Sequence, residues 1–195
     1  MYVVKLVCSR CGSEYRLSEK PLMCVRKDLG RLDIYYDYEK ISETLTRGIL
    51  EKRSFNMWRY IELLPVPSRD YIVSLGEGGT PLLKAVRLGE KIGLRNLYLK
   101  DETRNPTGSF KDRAMSVSVS MARYFNYEKA VIASSGNAAA SLAAYGARAG
   151  IEVYALVPHF ASTSKISQLL MYGARVVKIR WLEAEDPTVK MMRIL

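Results

Sequence analysis

Over residues 96–179 the apolar and polar positions change period in a regular order. Leu97-Tyr-Leu-Lys100 reads as a strand, 101–109 as a loop broken by Pro106 and Gly108, and about 110–125 as a helix. Ala130-Val-Ile-Ala133 reads as a short buried strand. Ser134-Ser-Gly-Asn137 then turns into an Ala-rich helix ending near Gly150, and 152–157 is the next strand. Ser162 opens a helix that closes at Gly173, and 174–179 is another strand. Strands alternating with helices at this spacing predict an α/β fold, a layered parallel sheet with flanking helices and right-handed crossovers. One segment carries two periods. Met115-Ser-Val-Ser-Val-Ser-Met121 alternates every second residue as a strand would, but Ser109-Phe-Lys-Asp112 has capping-box spacing and good helix formers follow, which predicts helix.

Upstream the pattern is less regular. Residues 1–40 read as a small loop-rich, ribbon-like cap holding Cys8-Ser-Arg-Cys11, Cys24 and the stretch Ile34-Tyr-Tyr-Asp-Tyr38. A helix is predicted near 41–52. Pro65-Val-Pro67 and Gly76-Glu-Gly-Gly79-Thr-Pro81 must be turn or loop.

Composition narrows the class. The 195 residues are 48% apolar and 26% charged, as expected of a globular chain able to bury a core. The net charge of +10 is spread out: 12 basic and 8 acidic groups in 1–60, 18 and 12 in 61–195. With no basic run or Arg-rich arm, nucleic acid is not the expected partner; attraction of small anions is. The longest uncharged stretch, 130–147, is interrupted by Ser-Ser-Gly-Asn and cannot be a lipid-spanning helix. No membrane partner and no signal peptide are expected, and three cysteines crowded near the N-terminus fit a reducing cytoplasm.

Two loops could carry chemistry. The first delivers Lys111 to the opening turn of a helix. There the positive end of the helix dipole disfavours its charged form by about 0.3–1 kcal/mol, and desolvation would lower its pKa further, as a lysine nucleophile requires. A solvated lysine beside Asp112 and Arg113 is the plainer alternative. The second, Ser134-Ser-Gly-Asn137, is a strand–turn–helix junction whose amides converge as in anion sites, though an ordinary βα turn has the same residues. Neither a dinucleotide fingerprint nor a P-loop is present. His159, after Pro158, reads as a loop histidine. Cys8, Cys11 and Cys24 make most of a zinc ribbon, but Lys27 stands where a fourth ligand would fall. Because structural zinc takes four ligands, the spacing favours a metal-free remnant.

Taken in order, the Cys pair, Leu75-Gly-Glu-Gly-Gly-Thr-Pro-Leu82, Asn105-Pro-Thr-Gly-Ser-Phe-Lys-Asp-Arg113 and Ser134-Ser-Gly-Asn-Ala-Ala-Ala-Ser-Leu-Ala-Ala-Tyr145 resemble the tryptophan-synthase-β-like, fold type II pyridoxal-phosphate enzymes. Within that family the resemblance is to the threonine synthases, and it covers residues 8–179. It implies pyridoxal 5′-phosphate as cofactor, with Lys111 as the Schiff-base lysine that also moves protons between substrate carbons. Phe110 would pack near the cofactor ring and Asn137 would bond its 3′-oxygen. Ser134, Ser135, Asn137 and Ala138 would line the loop for the substrate α-carboxylate. The implied reaction converts O-phospho-L-homoserine and water to L-threonine and phosphate. The resemblance further implies a homodimer for full-length family members. It makes 41–125 the N-terminal part of the large cofactor domain and 126–195 part of the small mobile one.

The chain also departs from the family pattern. Ala138 stands where Thr is common, which keeps the backbone N–H but loses a hydroxyl. Family members are much longer, and from about residue 180 the sequence no longer resembles them. The expectation is a truncated or frameshifted frame, inactive alone for want of the cofactor-phosphate loop. Alternatives are a threonine/serine dehydratase or cysteate synthase of the same fold, or, from another class, a basic zinc-ribbon binding module.

Overall fold

The computed structural model describes residues 2–26 and 30–180, so Lys27 and the stretch 181–195 lie outside the described residues. Among the described residues two compact units are present, one formed by 2–26, 30–54 and 58–72, the other by 55–57 with 73–180.

The first unit is built on an antiparallel sheet of order β2-β1-β3, with β1 (Val3–Cys8), β2 (Glu14–Tyr15) and β3 (Leu32–Tyr36). The predicted loop-rich cap holds a small three-stranded sheet between its loops, and part of the Tyr-rich stretch forms its third strand. The helix predicted near 41–52 is two short helices, α1 (Tyr38–Thr44) and α2 (Arg47–Lys52). Each has its own cap: Asp37 accepts from the Lys40 amide and Thr46 from the Ile49 amide, so an N-cap sits in the middle of the predicted run. Arg53 and the buried Glu62 form a bidentate ion pair at 2.8 and 2.7 Å in this unit.

The second unit contains the alternating pattern. Strands β6 (Lys129–Ala133), β7 (Glu152–Pro158) and β8 (Arg175–Ile179) form a parallel sheet of order β6-β7-β8, with α5 (Asn137–Ala149) and α6 (Thr163–Met171) as the connections. Helix α4 (Lys111–Tyr124) packs against α5. One strand departs from the expected parallel arrangement. β5 (Tyr98–Lys100) pairs antiparallel with β4 (Leu82–Lys84), across the helix α3 (Val86–Ile92), as a separate two-stranded sheet.

The core gathers Val119 of α4, the run Ala139–Tyr145 of α5, Val153, Ala155 and Val157 of β7, and Leu169 of α6. Small residues let α5 approach closely. A Cβ at Gly146 would lie 2.4 Å from Val153 Cγ2, so only glycine allows this helix–strand spacing. The two-period segment is helical, as predicted. Ser116 and Ser120, four apart, share the buried face with Val119; the single Ser116 hydroxyl proton lies between Glu77 at 2.6 Å and the Val73 carbonyl at 2.7 Å, and the Ser120 hydroxyl donates to the Ser116 carbonyl at 2.7 Å. The alternation thus records polar positions on an internal face. The capping box does not form. Ser109 Oγ accepts from the Lys111 amide at 3.3 Å, while Asp112 turns back to the Thr107 amide at 2.7 Å, a pairing reinforced by the Thr107 hydroxyl.

Candidate active site

Lys111 opens α4, half-buried, with Nζ 4.3 Å from the centroid of the Phe110 ring. Phe110 itself is 56% exposed. It faces a cleft of about 470 Å³ walled by Leu83, Leu99, Asp101, Ser109, Phe110 and Asn137, among others. The loop before α4 and the first residue of α5 therefore meet at one concave surface, although 27 positions separate Phe110 from Asn137. Ser134, Ser135 and Ala138 are half-buried in the turn and first helical residues that carry Asn137. Ser134 Oγ accepts the Gly136 amide at 3.1 Å, and no side chain caps α5, whose N-cap is Gly136. The opening amides of this 13-residue helix are thus directed at the turn, the arrangement that favours an anion. His159 is exposed just past β7, its ring edge-on to Phe160, as expected of a loop histidine.

Behind these residues lies a set of buried polar groups. Asp112, wholly buried, accepts from the Thr107 amide, the Thr107 hydroxyl (2.5 Å) and the Ser141 hydroxyl (2.6 Å). One carboxylate thereby fixes the loop before Lys111, the start of α4 and the middle of α5. Glu77, also wholly buried, receives the Ser116 hydroxyl at 2.6 Å, the Tyr145 hydroxyl at 2.7 Å, and bonds from Ser74 and the Leu75 amide. Burial pushes the Glu77 carboxyl up, but these donors outweigh it and hold its pKa below the ordinary value. Burial, then the bond to Glu77, pushes the Tyr145 phenol well up. Arg113 binds Glu102 with two N–H bonds of 2.8 Å, joined by Thr80 and Asn105. The guanidinium, with those two further donors, takes Glu102 down to about 2.

The Gly-rich loop holding Glu77 is shaped by contact as well. At Gly79 φ is +61°, and a Cβ would stand 2.0 Å from the Phe55 carbonyl oxygen. Sequence reasoning quoted Glu77, Ser141 and Tyr145 inside motifs but gave them no role, and expected of Asp112 only a helix cap. An acidic residue between glycines was the one available signal; the partners are 29 to 68 positions apart and cannot be paired from one chain.

In the first unit the three cysteines come together, with all Sγ atoms within 4.8 Å of one another.

Residues 73–193 match the family described as "Pyridoxal-phosphate dependent enzyme". The chain belongs to that family. The match runs past residue 180, where the sequence reading ended the resemblance. The chain is also 43% identical over 174 residues to a threonine synthase of Methanocaldococcus jannaschii, covering 89% of this chain and 42% of the relative. With one from Methanosarcina acetivorans it shares 45% over 181 residues, 92% and 43% of the two chains. It spans less than half the length of these relatives. Among solved structures, maize serine racemase superposes with a TM-score of 0.51 at 26% identity, over 59% of this chain and 35% of that one. Family members are dependent on pyridoxal phosphate. The site fits such a group: an amine beside an aromatic face, a cleft lined by that aromatic ring and by Asn137, though not by Lys111 itself, and an uncapped helix N-terminus suited to negative charge.

Proposed function

We propose that the chain carries the lysine-bearing part of a threonine-synthase-like lyase, which converts O-phospho-L-homoserine and water to L-threonine and phosphate. The observation that carries this reading is the cleft shared by Phe110 and Asn137, with Lys111 next along the chain, in a protein 43–45% identical to threonine synthases. In this reading Lys111 Nζ holds the cofactor and, once released, carries protons between substrate carbons. Phe110 packs against the cofactor ring and Asn137 bonds its 3′-oxygen. The amides at Ser134, Ser135, Asn137 and Ala138 receive the substrate α-carboxylate at the N-terminus of α5. Ala138 contributes through its N–H alone. Bound there, pyridoxal phosphate would supply the electron sink for eliminating the γ-phosphate. Residues 1–40 form a cap, 41–125 belong to the large cofactor domain and 126–195 to the small one. The working enzyme is a cytoplasmic homodimer.

The test is chemical trapping. The protein is incubated with pyridoxal phosphate, reduced with borohydride, digested and weighed by mass spectrometry. The expected result is a cofactor adduct on Lys111, accompanied by a visible absorbance that Lys111→Ala abolishes. An adduct spread over surface lysines, or unchanged by Lys111→Ala, overturns the assignment. In the cofactor-loaded protein, a spectral response to free threonine or serine but not to O-phospho-L-homoserine would replace the substrate with that of a dehydratase.

A further inference from the structure

We propose that Cys8, Cys11 and Cys24 form a three-thiolate site for a zinc-class divalent cation, with water as the fourth ligand. The site is independent of the cofactor reading. Its spacing fits: all three Sγ atoms lie within 4.8 Å of one another, and Cys11 and Cys24 Sγ are 3.5 Å apart. Zinc–sulfur bonds of about 2.3 Å in a tetrahedron put the sulfurs about 3.8 Å apart, so each needs to move by about an ångström or less. None of the three is in a disulfide.

Hydrogen-bonding groups surround the three sulfurs. Cys8 ends β1 and opens a tight turn in which its amide bonds the Ser13 carbonyl at 2.9 Å and its carbonyl accepts from Gly12 at 3.0 Å. That turn aims the Arg10 and Cys11 amides at Cys8 Sγ. The Tyr15 hydroxyl, itself held by the Val25 amide at 3.1 Å, donates to Cys24 Sγ at 3.2 Å. The Cys11 thiol donates to Ser13 Oγ at 3.2 Å. Such partners around ligating atoms orient them and tune a metal site. Cys8 and Cys24 are 2% and 1% exposed, so neighbouring thiolates there need a cation to offset their charge. The fourth position distinguishes this from a complete ribbon: among the described residues three protein ligands converge, which leaves one coordination place for water. Binding replaces three S–H bonds with three S–metal bonds and releases three protons to solvent, with no change of oxidation state.

The experiment uses the full chain, stripped with chelator under reducing conditions and titrated with Co²⁺ as a spectroscopic probe, then with Zn²⁺. The expected result is one equivalent bound, a sulfur-to-cobalt absorption band whose intensity reports the thiolates bound, intense visible ligand-field bands that report four-coordination, displacement by Zn²⁺, and proton release. Cys8→Ser and Cys24→Ser should each weaken binding at least tenfold while circular dichroism confirms folded protein. The wild-type titration decides even if a variant fails to fold. No thiolate band, or a band that persists undiminished in both folded variants, overturns the site. So does a reduced chain that binds nothing and only loses two hydrogens on oxidation as a Cys11–Cys24 disulfide forms.

Discussion

Two buried polar clusters show how differently one chain can satisfy groups removed from water. In the second unit, Glu77 and Asp112 are carboxylates at full burial, each surrounded by hydroxyls and amides of the same chain. In the first unit the corresponding cluster is of sulfur: three thiols face one another and receive amide and hydroxyl donors. A carboxylate accepts several hydrogen bonds and is complete without help, whereas adjacent thiolates repel and are completed by a cation. The first cluster should therefore respond to loss of a side chain and to acid, and the second to metal and oxidant.

The sharpest way to break the comparison is to remove the carboxylate that reaches furthest. Asp112→Ala leaves the Thr107 amide, the Thr107 hydroxyl and the Ser141 hydroxyl without their acceptor, behind the residue that carries Lys111. Each stranded donor costs about 1–3 kcal/mol, and partial rehydration lowers the sum, so a loss of about 3 kcal/mol is expected. Urea unfolding followed in the second unit should show a lower midpoint at unchanged slope. Asp112→Asn keeps one acceptor oxygen and should lose about half as much. If Asp112→Ala is neutral, the cluster is not self-sufficient.

Acid probes the same region without mutation. Glu102 falls from 4.5 to about 2 beside Arg113. At about 1.4 kcal/mol per unit this is roughly 3 kcal/mol, discounted to about 2 because the two side chains are 25% and 31% exposed. Since the folded pKa is the lower one, the stabilisation is fully present above the unfolded value near 4.5 and fades as pH drops toward 2. Unfolding free energies measured across that window should fall, and Glu102→Gln should flatten the fall by about that amount. An equally steep profile in the variant would place the acid sensitivity elsewhere.

How much of this was readable in the sequence follows from the range of each interaction. Helices α4, α5 and α6 and strands β6, β7 and β8 were legible because hydrophobic period and Gly or Ser boundaries are local. The antiparallel β4–β5 pairing was not, because nothing in Leu97-Tyr-Leu-Lys100 reveals which edge it will meet. The break between α1 and α2 was visible in principle: Thr46 is a favoured N-cap residue inside the predicted helical run. Lys111, Phe110 and Asn137 were found through their motifs, and the structure brings the latter two to one cleft. Asp112 was expected to cap its own helix, yet its carboxylate serves Thr107 and Ser141, a preference set by tertiary contact. The three cysteines were judged by ligand count, which spacing supplies, whereas the convergence of their sulfurs depends on the turn at Gly12 and the fold of the loop to Cys24.

The smallest effect tests whether the Glu77 cluster has donors to spare. Tyr145→Phe removes one hydroxyl and leaves the ring packed in a site where the residue is wholly buried. Glu77 then keeps the Ser116 hydroxyl, the Ser74 hydroxyl and the Leu75 amide, so the carboxylate is still ionised and still bound. The expected loss is about 1–2 kcal/mol, the range for a hydrogen bond to a charged group when the remaining partners hold. The sign of the accompanying pH effect follows from the lost donor. With less support for its charged form, Glu77 titrates at higher pH than before, and acid unfolding of Tyr145→Phe begins at higher pH than in the parent. Denaturant titrations at neutral and at mildly acidic pH separate the two contributions. A loss that is largest at neutral pH and shrinks as pH falls supports the ionised, hydrogen-bonded Glu77. A loss independent of pH would mean that Tyr145 contributes packing alone, and that the second unit's carboxylates, like the first unit's thiols, draw part of their balance from something outside this cluster.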